Sequence, residues 1–537
     1  MAENREDKTP VLIAGAGPVG LALATELGRL GIDCRVVEKR DGVVAVPKMS
    51  QVSARAMEFC RRWGIANKVR GAGWPKDLPG DVVYQQSFTG TEFARLKIPA
   101  YAAPNRLGFT PESACHCPQI FFDPILADHV RGLALVRLRY HLSLESFTQD
   151  DEGVRAVLRH SQSGKTETIT AQYLVGCDGP GGMVRDALGI GLGGLGVVAH
   201  SINIFFRSTE MMALHDKGCG RFFRSIDETG CWSEMIAIDG RGLWRLTVYD
   251  DSSPDADAEA YLQRLFGGPF PHEIINVQRW ERRDYVAEHY QNGRVFIAGD
   301  CAHQCSPTGG YGMHTGMEEA MNLAWKLAAV LTGWGAPGLL ASYDAERRPI
   351  ALRNVGLATK AFKAMTSIPA IDAATAQTVA AGKTAPVVEG LRASIAKYAG
   401  SEYLKFQYAY EDSPVCVADG TPPLPMDALS YTPSARPGSR APHVWLDDGV
   451  STLDLFGDGF TLLRLGASPP DGQALFAAAG QRGVPLKDVP LTDPAVAELY
   501  QAALVLVRPD GHVAWRGNAC PPDPIQLIDR IRGVDGQ

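Results

Sequence analysis

Residues 293–327 read GRVFIAGDCAHQCSPTGGYGMHTGMEEAMNLAWKL, and the order of patterns inside this stretch decides the fold. Val295 to Ala298 predict an apolar strand that ends on an exposed Gly299-Asp300 pair. Gly309, Gly310 and Gly312 then supply a loop whose backbone can approach a ligand without interference from Cβ atoms. Helical spacing begins at Thr315 or Gly316, with Met317, Ala320, Met321, Ala324, Leu327 and Leu331 expected on one face. Such a helix start aims free N–H groups, and about half a unit of positive charge, at whatever the loop holds. Asp300 stands where a ribose or ribityl hydroxyl would need an acceptor. Strand, glycine loop and helix in this order predict an α/β protein that presents backbone to a flat polar ligand.

The N-terminus carries a matching unit. Pro10 to Glu38 predict strand, helix and strand, with Gly31 as the helix stop. The first turn reads Gly15-x-Gly17-x-x-Gly20, with Pro18 and Val19 opening the helix. Gly15 makes the tight turn, Gly17 admits a pyrophosphate to the backbone, and Gly20 lets helix and strand pack closely. The helix N-terminus would face the phosphates. Glu38 ends the second strand at the distance expected of an acid that binds ribose hydroxyls. Gly191, Gly193 and Gly196 fit the same pattern, but they follow the helix-like VRDALGI and precede the strand-like SINIFF. That order is wrong for a phosphate turn, so a flexible connection without a cofactor role is expected there.

Elsewhere the pattern predicts a helix over about Ser50 to Trp63, a loop-rich region to about Asn105, and strands from Leu133 to Val175 that end at Asp178-Gly179. Val198 to Tyr249 predict a twisted antiparallel sheet able to wall a pocket, and Pro369 to Gly382 an alanine-rich helix. Pro- and Asp-rich text from Tyr408 to Ser439 predicts a linker or ordered arm. The last hundred residues alternate strand and helix and close with the hairpin LVLVRPDGHVAWRG and a final helix. That order resembles a thioredoxin fold without its CxxC motif, which rules out disulfide exchange.

Length and composition bound the functions. A chain of 537 residues exceeds one ordinary core and predicts two or three domains. A net charge of -7 with no Lys/Arg block argues against a nucleic-acid partner. No apolar run approaches the ~18 to 20 residues of a membrane span, so a cytoplasmic protein without a membrane partner is expected. The 11 cysteines are odd in number and scattered, which predicts reduced thiols. Neither CHC at Cys115 to Cys117 nor CAHQC at Cys301 to Cys305 has metal-ligand spacing with a second half-site, so no metal is expected.

Gly15 to Gly20, Asp178-Gly179 and Gly299-Asp300, in that order, make the chain resemble the FAD-dependent aromatic hydroxylases of the p-hydroxybenzoate hydroxylase type. Stretches such as MEFCRRWGIA, DGRGLWRLTV and LVRPDGHVAWRG extend the resemblance to the rebeccamycin-pathway flavin hydroxylases, which carry a redox-inactive thioredoxin-like tail. The resemblance implies a Rossmann-like FAD-binding domain, interleaved over residues 1–75, 108–185 and 280–365. An antiparallel substrate-binding sheet would occupy 76–107 and 186–279, a helical segment and linker 366–435, and a thioredoxin-like domain 436–537. It assigns the ADP half of FAD to the first motif and Glu38, the flavin and its donor to Asp178, and the ribityl chain to Asp300. Gln119, Met313 and His314 would lie near the flavin ring, with Lys39, Lys48, Leu144, Gly310 and Gly312 completing the cofactor set. Three positions depart from the family pattern: His314 stands for the usual Asn, Lys48 for Arg and Gly182 for Ser. Lys48 cannot reproduce a guanidinium fork.

The implied reaction takes electrons from NADPH or NADH, activates O2 as a flavin C4a-hydroperoxide, and hydroxylates a phenolic or polycyclic aromatic substrate. A helix start at Gly316 would stabilise the reduced ring. Pro307 matches a position whose backbone touches the substrate hydroxyl, and Arg245 one that faces flavin or substrate. Phe223, Trp232 and Met235 are pocket candidates, with core packing the better explanation for any one of them. His303 is a candidate base that would otherwise pack structurally behind the loop. The resemblance leaves a homodimer open. It also leaves two alternatives to hydroxylation: a tailoring oxidase acting on an unstable biosynthetic intermediate, and a flavin-bearing scaffold protein.

Overall fold

The computed structural model describes residues 7–100, 107–249, 251–253, 256–398, 401–446 and 449–534. The loop end expected near Asn105 lies outside them. Asp7–Ala14 runs parallel to Cys34–Val37 on one side and to Thr166–Gly176 on the other. Val136–Arg139 and Val295–Ile297 extend this parallel sheet at its two ends. Val11, Leu12, Ile13, Leu174 and Val175 are fully buried, as strands covered on both faces require. The hairpin of Leu142–Gln149 and Val154–His160 continues antiparallel from Thr166–Gly176. His141, at φ 58, separates that hairpin from Val136–Arg139, breaking what the sequence suggested was one strand.

A second sheet orders its strands as His303–Gln304, Glu273–Ala287, Leu192–Arg207, Leu243–Tyr249, Gly230–Ala237, Phe222–Asp227, Val82–Gln85 and Glu92–Leu96. The glycines at 191–196 do not form a flexible connection. Gly193, Gly194 and Gly196 lie within Leu192–Arg207, which stays paired to Glu273–Ala287 through three register shifts. Gly194 is needed there: at φ +140, a Cβ would stand 2.1 Å from the Asp284 carbonyl oxygen. Pairing also overrides helical spacing at residue 50, because Gln51–Val52 bonds to Cys115–His116 and the helix begins only at Ala54, capped by Ser53.

The helix after the glycine loop spans Gly312–Leu331 and starts a turn earlier than its spacing suggests. Gly310 is the last left-handed residue, at φ 68, and Tyr311 already has helical dihedrals. Gly316 is therefore interior, and the helix start belongs to Gly312. Nor is the helix apolar on one face only: every residue from His314 to Ala329 is buried. It runs between the parallel sheet and a four-stranded C-terminal sheet, ordered Leu486–Leu491, Phe460–Leu465, Leu504–Val507 and Val513–Gly517. Trp325 meets Phe460 edge-on at 5.8 Å on that second side. Its polar residues are buried because each has a partner across an interface.

All 11 cysteines are free thiols. Among the described residues, no helix is long and apolar enough to cross a membrane, and no group of His, Cys, Asp and Glu could hold a metal ion.

Candidate cofactor and substrate site

The carboxyl ends of the parallel strands bring the three separated motifs together. Gly15, at φ +108, turns so tightly after its strand that an added Cβ would sit 2.2 Å from the Cys177 carbonyl oxygen. Gly20 packs its Cα against the same turn, 2.0 Å being left for a Cβ from the Gly15 oxygen. Gly17 is different: a Cβ there meets nothing within 4 Å, and the residue caps helix Pro18–Arg29 from an extended conformation. Open backbone at a helix N-terminus is what a pyrophosphate requires. Glu38 accepts hydrogen bonds from the Ala16 and Arg40 amides at 3.0 Å, which fixes its carboxylate at the rim of that turn. Lys39, beside it, is exposed. Leu144 lies half-buried in the adjoining hairpin, packed on the parallel-sheet core.

Deeper in the cleft, Asp178 accepts from the Val184 amide at 3.1 Å, and its other oxygen is buried without a hydrogen bond. Gly182 faces it: a Cβ would lie 2.6 Å from Cys301 Sγ and 2.8 Å from Asp178 Oδ1. The Cys301 side chain thus occupies the space a serine at 182 would need. Val19 wedges between Gly299 and Gly316, with 2.5 Å left for a Cβ on the latter, so these glycines let the first helix and the loop helix close on one another. Asp300 is exposed to the cleft but walled by protein on its other sides, and this desolvation raises its carboxyl above the ordinary range. Pro307 and Gly310 are exposed on the same loop, and Met313 is half-buried behind them.

Gln119 opens helix Gln119–Arg131. Its amide nitrogen donates to Asp123 at 2.9 Å, and its oxygen accepts from the Lys48 backbone at 3.3 Å. Asp123 escaped the sequence reading, although its spacing of one turn from Gln119 was a usable signal. Burial pushes its carboxyl up to about 7. The Lys48 side chain is exposed, while its carbonyl and that of Pro47 accept from Arg245 Nη1 at 3.2 and 2.5 Å. Arg245 is buried and forms no ion pair among the described residues. Desolvation lowers it, with Glu234 and Tyr249 opposing.

Two histidines of the loop turn away from the cleft. The His314 ring does not face the cleft: it is 1% exposed, with Nδ1 3.1 Å from Ser53 Oγ and Nε2 3.6 Å from Glu318, too long for a hydrogen bond. Only its backbone is left for a cofactor. His303 is equally buried, 3.2 Å from Glu319, which also accepts from the Gly299 amide at 2.8 Å. Burial opposes its protonation, but Glu319 outweighs this and raises its pKa. His303 buttresses the Gly299 turn and offers no surface to the cleft.

Burial pulls His314 down to about 4, and Glu318 opposes this. A histidine depressed in the folded state takes up its proton more readily when unfolded. Its stabilising share is therefore complete above pH ~6.5 and is lost as pH falls toward 4. His314→Asn is expected to flatten the fall in Tm over that window, recovering at most about 3 kcal/mol at its acid end. Calorimetry at pH 4.5 and 7.5 checks this, and parallel profiles for the two proteins would contradict it.

On the second sheet, side chains alternate between faces. Phe223 and Met235 are fully buried, and with Trp232 they join Trp244, Leu246 and Ile204 in a core on one face. Arg245 pairs with Ile236 and Phe205 and belongs to the opposite face, as do Thr247 and Asn203. The pocket candidates Phe223, Trp232 and Met235 are thus core, as packing explains them, and the apolar residues of the opposite face are Phe205, Phe222 and Ile236, packed near Val46, Ile120 and Phe121. A period-two pattern in sequence cannot say which of its faces meets the cleft.

A cavity of about 530 Å³ lies away from this cleft, between Arg55, Arg61 and Arg62 and the C-terminal Leu453–Gly459 segment. Its arginines already pair with Glu58, Asp454 and Glu26.

With this geometry in view, residues 8–358 match the family model of the FAD binding domain, and residues 434–534 that of the aromatic-ring hydroxylase C-terminal region. Tetracenomycin A2 monooxygenase-dioxygenase of Streptomyces glaucescens is 32% identical, the alignment covering 96% of this chain and 95% of that protein. The rebeccamycin biosynthetic enzyme RebC, solved with reduced flavin, superposes with a TM-score of 0.90 at 37% identity over 99% of this chain and all of its own. Aklavinone-11 hydroxylase, solved with FAD and aklavinone, gives 0.80 at 30% identity over 98% of this chain and 99% of its own.

Proposed function

The chain belongs to the FAD-dependent aromatic-ring hydroxylases, and from that premise we propose that it hydroxylates a phenolic or polycyclic aromatic substrate with O2 and NADPH or NADH. One observation carries the reading: the glycine turn at Gly15, the Asp178 turn and the Asp300 loop share one cleft, and the sheet face that carries Arg245, Thr247, Phe205 and Ile236 packs against Ile120 and Phe121, beside Gln119. The residues fit FAD. Gly17 and the start of helix Pro18–Arg29 would hold its pyrophosphate, Glu38 its adenosine ribose, and Asp300 its ribityl chain. When bound, FAD supplies electron transfer from the nicotinamide and activation of O2.

The protein's share is orientation and exclusion of water. The start of helix Gly312–Leu331, with Gly310 and the backbone of Met313 and His314, would place positive potential at the pyrimidine edge of the ring. Gln119, held by Asp123, would fix the ring from the opposite wall. Arg245, pinned to the 47–48 carbonyls, stands between that wall and the substrate face. Residues 436–537 form a thioredoxin-like domain in this reading: a four-stranded mixed sheet supports it, and a single cysteine, Cys520, leaves it no disulfide exchange. The interleaved FAD and substrate domains centre on the two large sheets in this reading, the second sheet borrowing residues 280–287 and 303–304 from the FAD-binding stretch. The protein works in the cytoplasm, and a homodimer is compatible with this arrangement.

Stopped-flow reduction of the FAD-loaded protein by each nicotinamide, with and without phenols, naphthols and polycyclic phenols, tests the reading. At least one aromatic compound is expected to accelerate reduction more than tenfold and to be recovered with one added oxygen. Bound FAD that neither nicotinamide reduces with any of them would overturn it. The likeness to RebC supports a second reading, a tailoring oxidase of an unstable intermediate, which predicts rapid reduction without stable hydroxylated products from simple phenols.

A further inference from the structure

Arg282 is the unusual charge of this fold. Its side chain comes from the Glu273–Ala287 strand and is 2% exposed, yet it makes no ion pair among the described residues. Nε donates to Ser201 Oγ at 2.9 Å and Nη1 to Ser306 Oγ at 3.1 Å. The guanidinium lies 4.3 Å from the Phe362 ring centre, 4.6 Å from Trp280 and 5.2 Å from Tyr249. Its Nη2 amino group makes no hydrogen bond to the described residues. Rings and hydroxyls offset part of the cost of burying this charge, but two neutral hydroxyls do not replace a carboxylate. Desolvation lowers it to about 10, so it remains a cation at neutral pH.

Its position gives the charge a use. Ser306 precedes Pro307, the loop residue expected to meet the substrate hydroxyl. Ser201 lies opposite Tyr249, on the sheet face that carries Asn203, Thr247 and Arg245. On this face one apolar cluster holds Tyr249, Phe362 and Met365, and another holds Phe205 and Ile236. The polar band of Ser201, Asn203, Arg245, Thr247, Arg282 and Ser306 falls between them. Thr247 and Asn203 satisfy each other at 2.8 Å, and Glu234 is drawn to Arg224 at the same distance. Arg282 is left without an anion.

We propose that Arg282 anchors an anionic oxygen of the aromatic substrate, a carboxylate or an acidic phenolate or enolate, and so selects charged over neutral ring systems. This rests on the hydroxylase reading above and names the substrate class for the same site. A guanidinium held by two hydroxyls would fix such a ring by its anionic edge.

The test measures binding by the flavin difference spectrum of the FAD-loaded protein, with no nicotinamide present. The probes are 3-hydroxy-2-naphthoate, which carries a carboxylate, 2-naphthol, which is neutral at pH 7.5, and 1,3-dinitro-2-naphthol, an acidic phenol without a carboxylate. Wild-type protein is expected to bind at least one anion ten times more tightly than 2-naphthol, and the stronger anion identifies the oxygen type. Arg282→Met should lose that preference, weakening the anion at least tenfold and 2-naphthol less than twofold, with unchanged Tm and flavin spectrum. Arg282→Lys should keep part of it. A wild-type protein that binds 2-naphthol as tightly as both anions overturns the proposal, even where no variant folds. Equal loss of all probes together with a fall in Tm would mean a structural cation among rings and would overturn it too. If 2-naphthol stimulates flavin reduction while no anion is preferred, the hydroxylase reading stands and the Arg282 proposal falls.

Discussion

Arg508→Ala is expected to cost the full-length protein about 3–5 kcal/mol of stability, as removal of one partner from a buried ionic cluster does. Arg508 is completely buried and donates to both Glu346 oxygens, at 2.5 and 2.9 Å, and to Asp510 at 2.6 Å. Lys326 supplies the second cation, 2.7 Å from Glu346, and Asn322 and Ser413 complete the set. These side chains come from the loop helix, from helix Gly338–Thr366, from the arm and from the C-terminal hairpin. The two cations hold the Glu346 carboxyl far below the ordinary range despite its burial. Without Arg508, two carboxylates face one ammonium in a dry interface. Denaturant unfolding of both proteins measures the loss. Arg464→Ala, removing a partly exposed pair with Asp488 in the same C-terminal sheet, should cost less than about 1 kcal/mol. Equal losses from the two variants would contradict the assignment of the cluster as the joint between the halves.

Gly15→Ala is expected to weaken FAD binding about a hundredfold, or nearly 3 kcal/mol, with a smaller loss of stability. Two costs coincide there. An alanine is strained at φ +108, and its Cβ would meet the Cys177 carbonyl oxygen at 2.2 Å. The neighbour cannot give way cheaply, because the Cys177 amide is tied to the Ala14 oxygen at 2.7 Å. The turn must open, and the amides and the Glu38 carboxylate move with it. Gly17→Ala is the control: open space surrounds its Cβ position in the protein alone, so stability should hold while only FAD affinity falls. Fluorescence titration of FAD and thermal unfolding separate the two. Unchanged affinity in Gly15→Ala would remove this turn from the cofactor site.

Much of the cofactor cleft was legible because glycines and acids in loops carry their reason locally. Gly15, Gly20 and Asp300 follow from what a turn or a ribose demands, whatever lies elsewhere in the chain. The C-terminal order of strands and helices was legible for the same reason, as was the absence of a CxxC pair. The His314 ring was not, since a buried ring and an exposed one have the same spelling, and the packing of Ser53 and Glu318 turned it inward, while Glu319 holds His303 behind the loop.

By itself, then, the sequence determined most of the elements, their order and the tight glycine turns at Gly15 and Gly20, all set by local backbone chemistry and short-range periodicity. The tertiary structure alone decided which face of the second sheet meets the cleft. It put Phe223 and Met235 in the core and Arg245 on the opposite face. The alternation along a strand fixes two faces but is symmetric between them, and only the neighbours each face finds break that symmetry. Burial of helix Gly312–Leu331 on every side was decided in the same way, because the partners of Asn322 and Lys326 come from distant segments of the chain.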